Sequence, residues 1–165
     1  MFTGLNHFCI VTSDLDRTVA VWTERSGIGP WALRTYDEAK IDASVDGTPT
    51  PFGMRVAITQ LTPAVRIEII QPLDERSPYA ASLERHGGTD HLHHMRMDVE
   101  DYGTARARLE GLGLPKILDA EIVQGTGPGE VSRAIYFDTS AELGFVAEIA
   151  DVPNLKLLEP EEIRG

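Results

Sequence analysis

The chain is 165 residues long and 42% hydrophobic, enough for one domain with a core or two small fused modules, and too apolar for a disordered segment. Its 15 basic and 26 acidic side chains give a formal net charge of −11, which excludes a general nucleic-acid or anionic-membrane binder but leaves room for a local basic pocket. Cys9 stands alone, so an intramolecular disulfide framework is excluded as well.

Residues 5–11 are predicted as a strand. Asp14 is the expected N-cap of a helix over 15–26, which sets Leu15, Val19, Trp22 and Ser26 at helical spacing and stops at Gly27. Strands are expected near 31–36, 54–60 and 65–71. The intervening stretch 42–53 is rich in turn formers and reads as a loop or lid. A short helix over 78–86 has Pro78 just inside its start, and Gly87-Gly88 marks a join. Beyond it come a strand at 92–99, a helix at 102–112 capped by Asp101 and stopped by Gly113, and strands near 116–123, 131–138 and 144–150. Gly125-Thr126-Gly127-Pro128-Gly129 reads as a plain turn, because the Lys-Ser/Thr and helix of a phosphate loop do not follow it. The tail after residue 150 is acidic and peripheral. The opening stretch MFTGLNHFCIV lacks a basic n-region and a long apolar h-region, and no apolar run reaches the roughly 20 residues of a bilayer span. A cytoplasmic protein without membrane partners is the expectation.

The order of elements repeats. His7-Phe8-Cys9-Ile10-Val11 and His94-Met95-Arg96-Met97-Asp98 are strands that open on histidine and lead into a capped helix. Arg66-Ile67-Glu68-Ile69-Ile70 and Val146-Ala147-Glu148-Ile149-Ala150 are mostly apolar strands with a central glutamate. Each half therefore reads as strand, helix, two strands, strand. If the halves pack about a pseudo-two-fold axis, His7, Glu68, His94 and Glu148 converge. Imidazole nitrogens and carboxylate oxygens suit one divalent ion (Zn, Co, Mn, Ni or Fe), and four protein ligands leave positions for an oxygen substrate. An unpartnered carboxylate is costly to bury, which favours the metal reading over separate structural roles. The competing assignment pairs Glu68 with Arg66 or Arg96. Strand alternation places Cys9 and Val11 in phase with His7, Arg66 and Ile70 with Glu68, and Arg96 with His94. The two arginines are candidate substrate-binding residues for a carboxylate or phosphate. His91 and His93 fall out of phase and face away unless a bulge intervenes. Cys9 reads as a small apolar filler, Trp22 as core, and Trp31 and Tyr36 as pocket or core residues. Glu38, beside the loop, is a further candidate carboxylate.

These motifs, together with Asp14-Leu15-Asp16, Gln71-Pro72 and the His93-His94 pair, resemble the vicinal oxygen chelate superfamily (glyoxalase, bleomycin resistance and dioxygenase proteins) over residues 5–150. The stretch from Ile67 to Pro72, then Ser77-Pro78 and Gly88, is similar to methylmalonyl-CoA epimerases. That pattern usually has Gln where this chain has Glu68, and a second Glu is more like glyoxalase I, although no glutathione-binding pattern stands out. An extradiol dioxygenase would use two His and one carboxylate on iron, whereas this chain offers a fourth ligand. The resemblance implies an α+β fold of two βαβββ modules (1–88 and 89–152, with a 153–165 tail) that form an open cup-shaped mixed sheet around a central metal. It also implies a homodimer. The implied function is a metal-dependent isomerase or epimerase removing an α-proton through a metal-stabilised enolate, with Glu148 and Glu68 catalytic, on methylmalonyl-CoA or a related small acid. The alternatives are a glyoxalase I-type lyase and a non-catalytic drug-binding protein of the same fold.

Overall fold

A computed structural model describes residues 1–124 and 131–152; the Gly125–Gly129 turn and the tail from 153 lie outside the described residues. The elements run β1 (Phe2–Val11), α1 (Leu15–Ser26), β2 (Ala32–Tyr36), β3 (Ile41–Val45), β4 (Thr48–Pro49), β5 (Met54–Gln60), β6 (Arg66–Pro72) and α2 (Pro78–Arg85) in the first half. β7 (His91–Val99), α3 (Tyr102–Gly111), β8 (Lys116–Val123), β9 (Val131–Asp138), α4 (Ser140–Leu143) and β10 (Val146–Asp151) complete the second. The short α4 was not expected from the sequence.

Local chemistry sets the helix ends. The Asp14 carboxylate accepts from the Arg17 amide at 3.1 Å, and Gly27 closes α1 at φ 68°, a left-handed conformation that glycine adopts without strain. Asp101 does the same for α3, accepting from Thr104 N at 2.7 Å. Ser77 caps α2 ahead of Pro78. Both long helices pack on the convex face of the sheet. Leu15 of α1 joins Ala57, Ile67 and Ile69, with Val19 and Trp22 against them. Ala105 and Leu109 of α3 meet Ile135, Phe137 and Ile149. Each such fully buried aliphatic side chain contributes about 1.5–3 kcal/mol.

The sheet has ten strands in the order β2-β5-β6-β1-β7-β10-β9-β8-β3-β4. At its middle β1 pairs antiparallel with β7, while β6 and β10 flank them in parallel. The 42–53 stretch is therefore not a free loop or lid. Ile41–Val45 leaves the first half and pairs antiparallel with β8 of the second. Ile41, Ala43 and Phe52 are buried there, and their alternation was masked in the sequence by the neighbouring turn formers. This crossing curls the sheet. β2 and β3 lie toward opposite ends of the strand order, yet only residues 37–40 join them, and that stretch reaches about 18 Å at most. Tyr36 Oη donates to Gln124 Oε1 at 2.8 Å, and Val123 N to Lys40 O at 2.9 Å, tying the ends together. The cup so formed holds a second core, with Cys9, Val56, Ile70, Tyr79, Leu118 and Tyr136 among its members.

Candidate metal centre

Four central strands place the four repeated residues on the concave face. Across one row the register sets Arg66, His7, Arg96 and Glu148 side by side; across the next it sets Glu68, Cys9, His94 and Val146. His7 Nε2 and His94 Nε2 lie 3.4 Å apart. Glu148 Oε2 is 3.2 Å from each of them, and Glu68 Oε2 is 3.5 Å from each. All four side chains are thus brought together by their donor atoms. A divalent ion with bonds of about 2.0–2.2 Å sets neighbouring donors about 3.0–3.5 Å apart, so the buried His7, His94 and Glu148 group fits such an ion, with Glu68 Oε2 within 3.5 Å of both imidazoles. Glu148 Oε2 is also buried without a hydrogen bond of acceptable geometry among the described residues, which is the group a cation would satisfy.

The electrostatics agree with that fit. Burial pushes the Glu148 carboxyl up, but the close His7 and His94 imidazoles outweigh it and hold the group well below the usual carboxylate range. Glu68 is lowered for the same reasons, again against burial. For His94 burial favours the neutral ring, yet the Glu148 and Glu68 carboxylates reverse this and raise it well above its ordinary value. Two ionised oxygens beside two imidazoles make a hole shaped for positive charge. Cys9 lies between Glu68 and His94 in the register, fully buried, and burial pushes its thiol up to about 12. It stays a neutral thiol and fills space.

Residues 6–137 match the sequence model of the Glyoxalase/Bleomycin resistance protein/Dioxygenase superfamily. The chain belongs to this superfamily. A relative from Cereibacter sphaeroides, an ethylmalonyl-CoA/methylmalonyl-CoA epimerase, is 33% identical over 126 residues, which cover 71% of this chain and 81% of that protein. Among solved structures, methylmalonyl-CoA epimerase from Mycobacterium tuberculosis superposes with a TM-score of 0.66 at 20% identity, covering 93% of this chain and 91% of the other. A variant of the Streptomyces coelicolor methylmalonyl-CoA epimerase in complex with 2-nitronate-propionyl-CoA gives a TM-score of 0.67 at 18% identity, covering 93% and 100%. The half-barrel is the fold of this superfamily.

Around the centre, several residues sit where alternation put them and others do not. Arg66 and Arg96 flank His7 in the same row, half-buried, and neither makes an ion pair or side-chain hydrogen bond with the described residues. Burial, then the nearby Arg96, lowers the Arg66 guanidinium. Neither arginine pairs with Glu68, so the competing structural assignment for that carboxylate does not hold. Glu38 is not at the centre either: it lies in the exposed turn after β2, 3.1 Å from Arg76. Trp31 belongs to the convex core, its Nε1 donating to Ile28 O and Thr23 Oγ1. Tyr79 and Tyr136 were not singled out by the sequence. Their hydroxyls meet at 3.2 Å, and the Tyr136 ring packs edge-on to His94 at 4.7 Å. Strand alternation would have nominated Tyr136, but α2, which carries Tyr79, gave no signal that it reaches into the cup. His91 bonds Ser82 Oγ and the Thr89 carbonyl, each at 2.8 Å, and fastens α2 to β7. His93 turns inward at a bulge.

Proposed function

We propose that the protein is a divalent-metal-dependent epimerase that exchanges the proton α to the carbonyl of a small carboxylated acyl thioester, of the methylmalonyl-CoA type. The observation that carries this reading is that Glu148 and Glu68 each bring an oxygen within 3.2–3.5 Å of both His7 Nε2 and His94 Nε2, beside two arginines without side-chain partners among the described residues. His7, His94, Glu148 and Glu68 hold the ion. When bound, it supplies Lewis acidity toward a carbonyl oxygen and so acidifies the neighbouring C–H. Arg66 and Arg96 bind the substrate carboxylate by charge-assisted hydrogen bonds and fix which face of the α-carbon each glutamate sees. Inversion needs a proton to leave one face and return to the other. Both glutamates are held ionised, so each can accept it. Glu148 serves one face and Glu68 the other.

The test is exchange in deuterated water. A single epimer of methylmalonyl-CoA is incubated with protein loaded in turn with Zn, Co, Mn, Ni and Fe. Deuterium at the α-carbon, with loss of optical purity, is the expected result. Absence of both with every metal overturns the reading. Glu68 also favours a second one, a glyoxalase-type isomerisation of a thiol–aldehyde adduct, because it gives the site two carboxylates. That reading expects turnover only when a thiol and a 2-oxoaldehyde are both supplied.

A further inference from the structure

His94 is followed outward, away from the metal-facing nitrogen, by a second histidine. Between β1 and β7, Cys9 registers with His94 but Ile10 with Leu92, so β7 advances two residues for one on β1. His93 is the extra residue of a β-bulge. Regular alternation would turn it to the convex face beside the helices. The bulge instead turns it into the cup, where it is 9% exposed and its ring lies 5.2 Å from that of Tyr79. There His93 Nδ1 and His94 Nδ1 are 2.9 Å apart. Two ring nitrogens at that distance share one proton, one donating and the other accepting. His94 Nε2 faces Glu148, Glu68 and His7 Nε2 and must offer a lone pair to bind an ion. Its proton therefore belongs on Nδ1.

We propose that His93 is a positioning residue: by accepting the Nδ1–H of His94 it fixes the tautomer and ring orientation that present Nε2 to the metal. This rests on the metal reading above. The first half lacks the equivalent contact. A register shift between Leu5 and His7 makes Asn6 the extra residue there, directly before the ligand, as His93 is. Asn6 sends its Nδ2 to Asp98 at 2.9 Å, while Asn6 Oδ1 and His7 Nδ1 are both buried without a partner among the described residues. The bulge recurs in both halves, but it delivers an acceptor to the ligand ring only in the second.

The experiment is zinc affinity, measured by competition with a chromophoric chelator on metal-free wild type, His93→Phe and His93→Asn. The phenyl ring keeps the packing against Tyr79 and offers no acceptor; the asparagine oxygen takes the place of Nδ1. Loss of such a partner weakens metal binding about 10–100-fold, so H93F is expected in that range and H93N within about threefold of wild type. H93F binding as tightly as wild type overturns the inference and leaves the metal reading standing. H93N as weak as H93F also overturns it, since the ring rather than the acceptor would then matter. The titration is repeated with Co, Mn, Ni and Fe, and a wild type that takes up none of the five ions overturns both. If H93F does not fold, nitrogen NMR of zinc-loaded wild type decides: His93 protonated at Nε2 supports the inference, and a proton on its Nδ1 sinks it.

Discussion

The two halves of the sheet carry the same histidine–glutamate pair in unlike surroundings. In the second half His94 is fully buried, its Nδ1 held by His93, and the Glu148 side chain is 5% exposed. In the first half His7 Nδ1 has no partner among the described residues, and the Glu68 side chain is 15% exposed and lies 0.3 Å farther from both imidazoles (3.5 against 3.2 Å). The second half is the anchored side and the first the open side. A repeat supplies two copies of a pair geometrically, but the packing around each copy decides how tightly each is held and how far it is exposed.

That contrast can be broken most directly at the glutamates. Glu148→Gln is expected to abolish stoichiometric metal uptake and all α-proton exchange. Glu68→Gln is expected to keep about one ion per chain while epimerisation falls about 10²–10⁴-fold. Glu148 would still exchange the proton of one epimer in E68Q, so mass spectrometry should find deuterium uptake into one epimer and little into the other. Equal loss of metal in both variants would erase the distinction between an anchored and an open side.

The arginines flank His7 in one row of the sheet, and their loss should be felt by substrate rather than metal. Arg66→Ala and Arg96→Ala are each expected to raise KM about 10–100-fold, from charged hydrogen bonds worth about 1.5–3 kcal/mol. Zinc affinity should stay unchanged; a fall in metal affinity with KM unmoved would make them structural.

A pH series sharpens the role of His94. Its value is raised, so in the metal-free protein its contribution to stability is complete below the ordinary 6.5 and lost as pH rises through the raised value. Glu148 is lowered, so its contribution is complete above the ordinary 4.5 and lost as pH falls through the lowered value. Metal-free stability should therefore decline on the alkaline side. A bound divalent ion replaces the imidazolium proton, and the rise in Tm that zinc produces should grow as pH increases. A zinc shift that is constant across the series would contradict the assignment of His94 as a ligand.

The smallest effects should show the halves as equals. Asp14→Ala and Asp101→Ala each remove one N-cap bond and should each cost about 1 kcal/mol by urea unfolding. A much larger loss at one cap would mean that its half alone sets global stability.

Much of this was legible in the chain. Asp14, Gly27, Asp101 and Ser77-Pro78 mark helix ends because capping is a bond between near neighbours. The phase of His7, Glu68 and Arg66 follows from alternation along a single strand, and so does the shared face of His94 and Arg96. Two strand segments led by a histidine, His7 and His94, and two with a central glutamate were enough to nominate the four residues that meet.

What the sequence could not decide depends on how strands register against one another. The crossing of Ile41–Val45 to β8 is a pairing between segments about 80 residues apart, and it was hidden by Asp46, Gly47 and the prolines of the same stretch. The inward turn of His93 needs a bulge, which exists only because β7 advances one residue more than β1 across their shared ladder. The inequality of the two halves needs the folded cup, since burial and the reach of an imidazole nitrogen are properties of neighbours brought from elsewhere in the chain. Local bonds write helix ends and strand faces into the sequence, whereas curl, bulge and burial arise only when distant strands share one sheet.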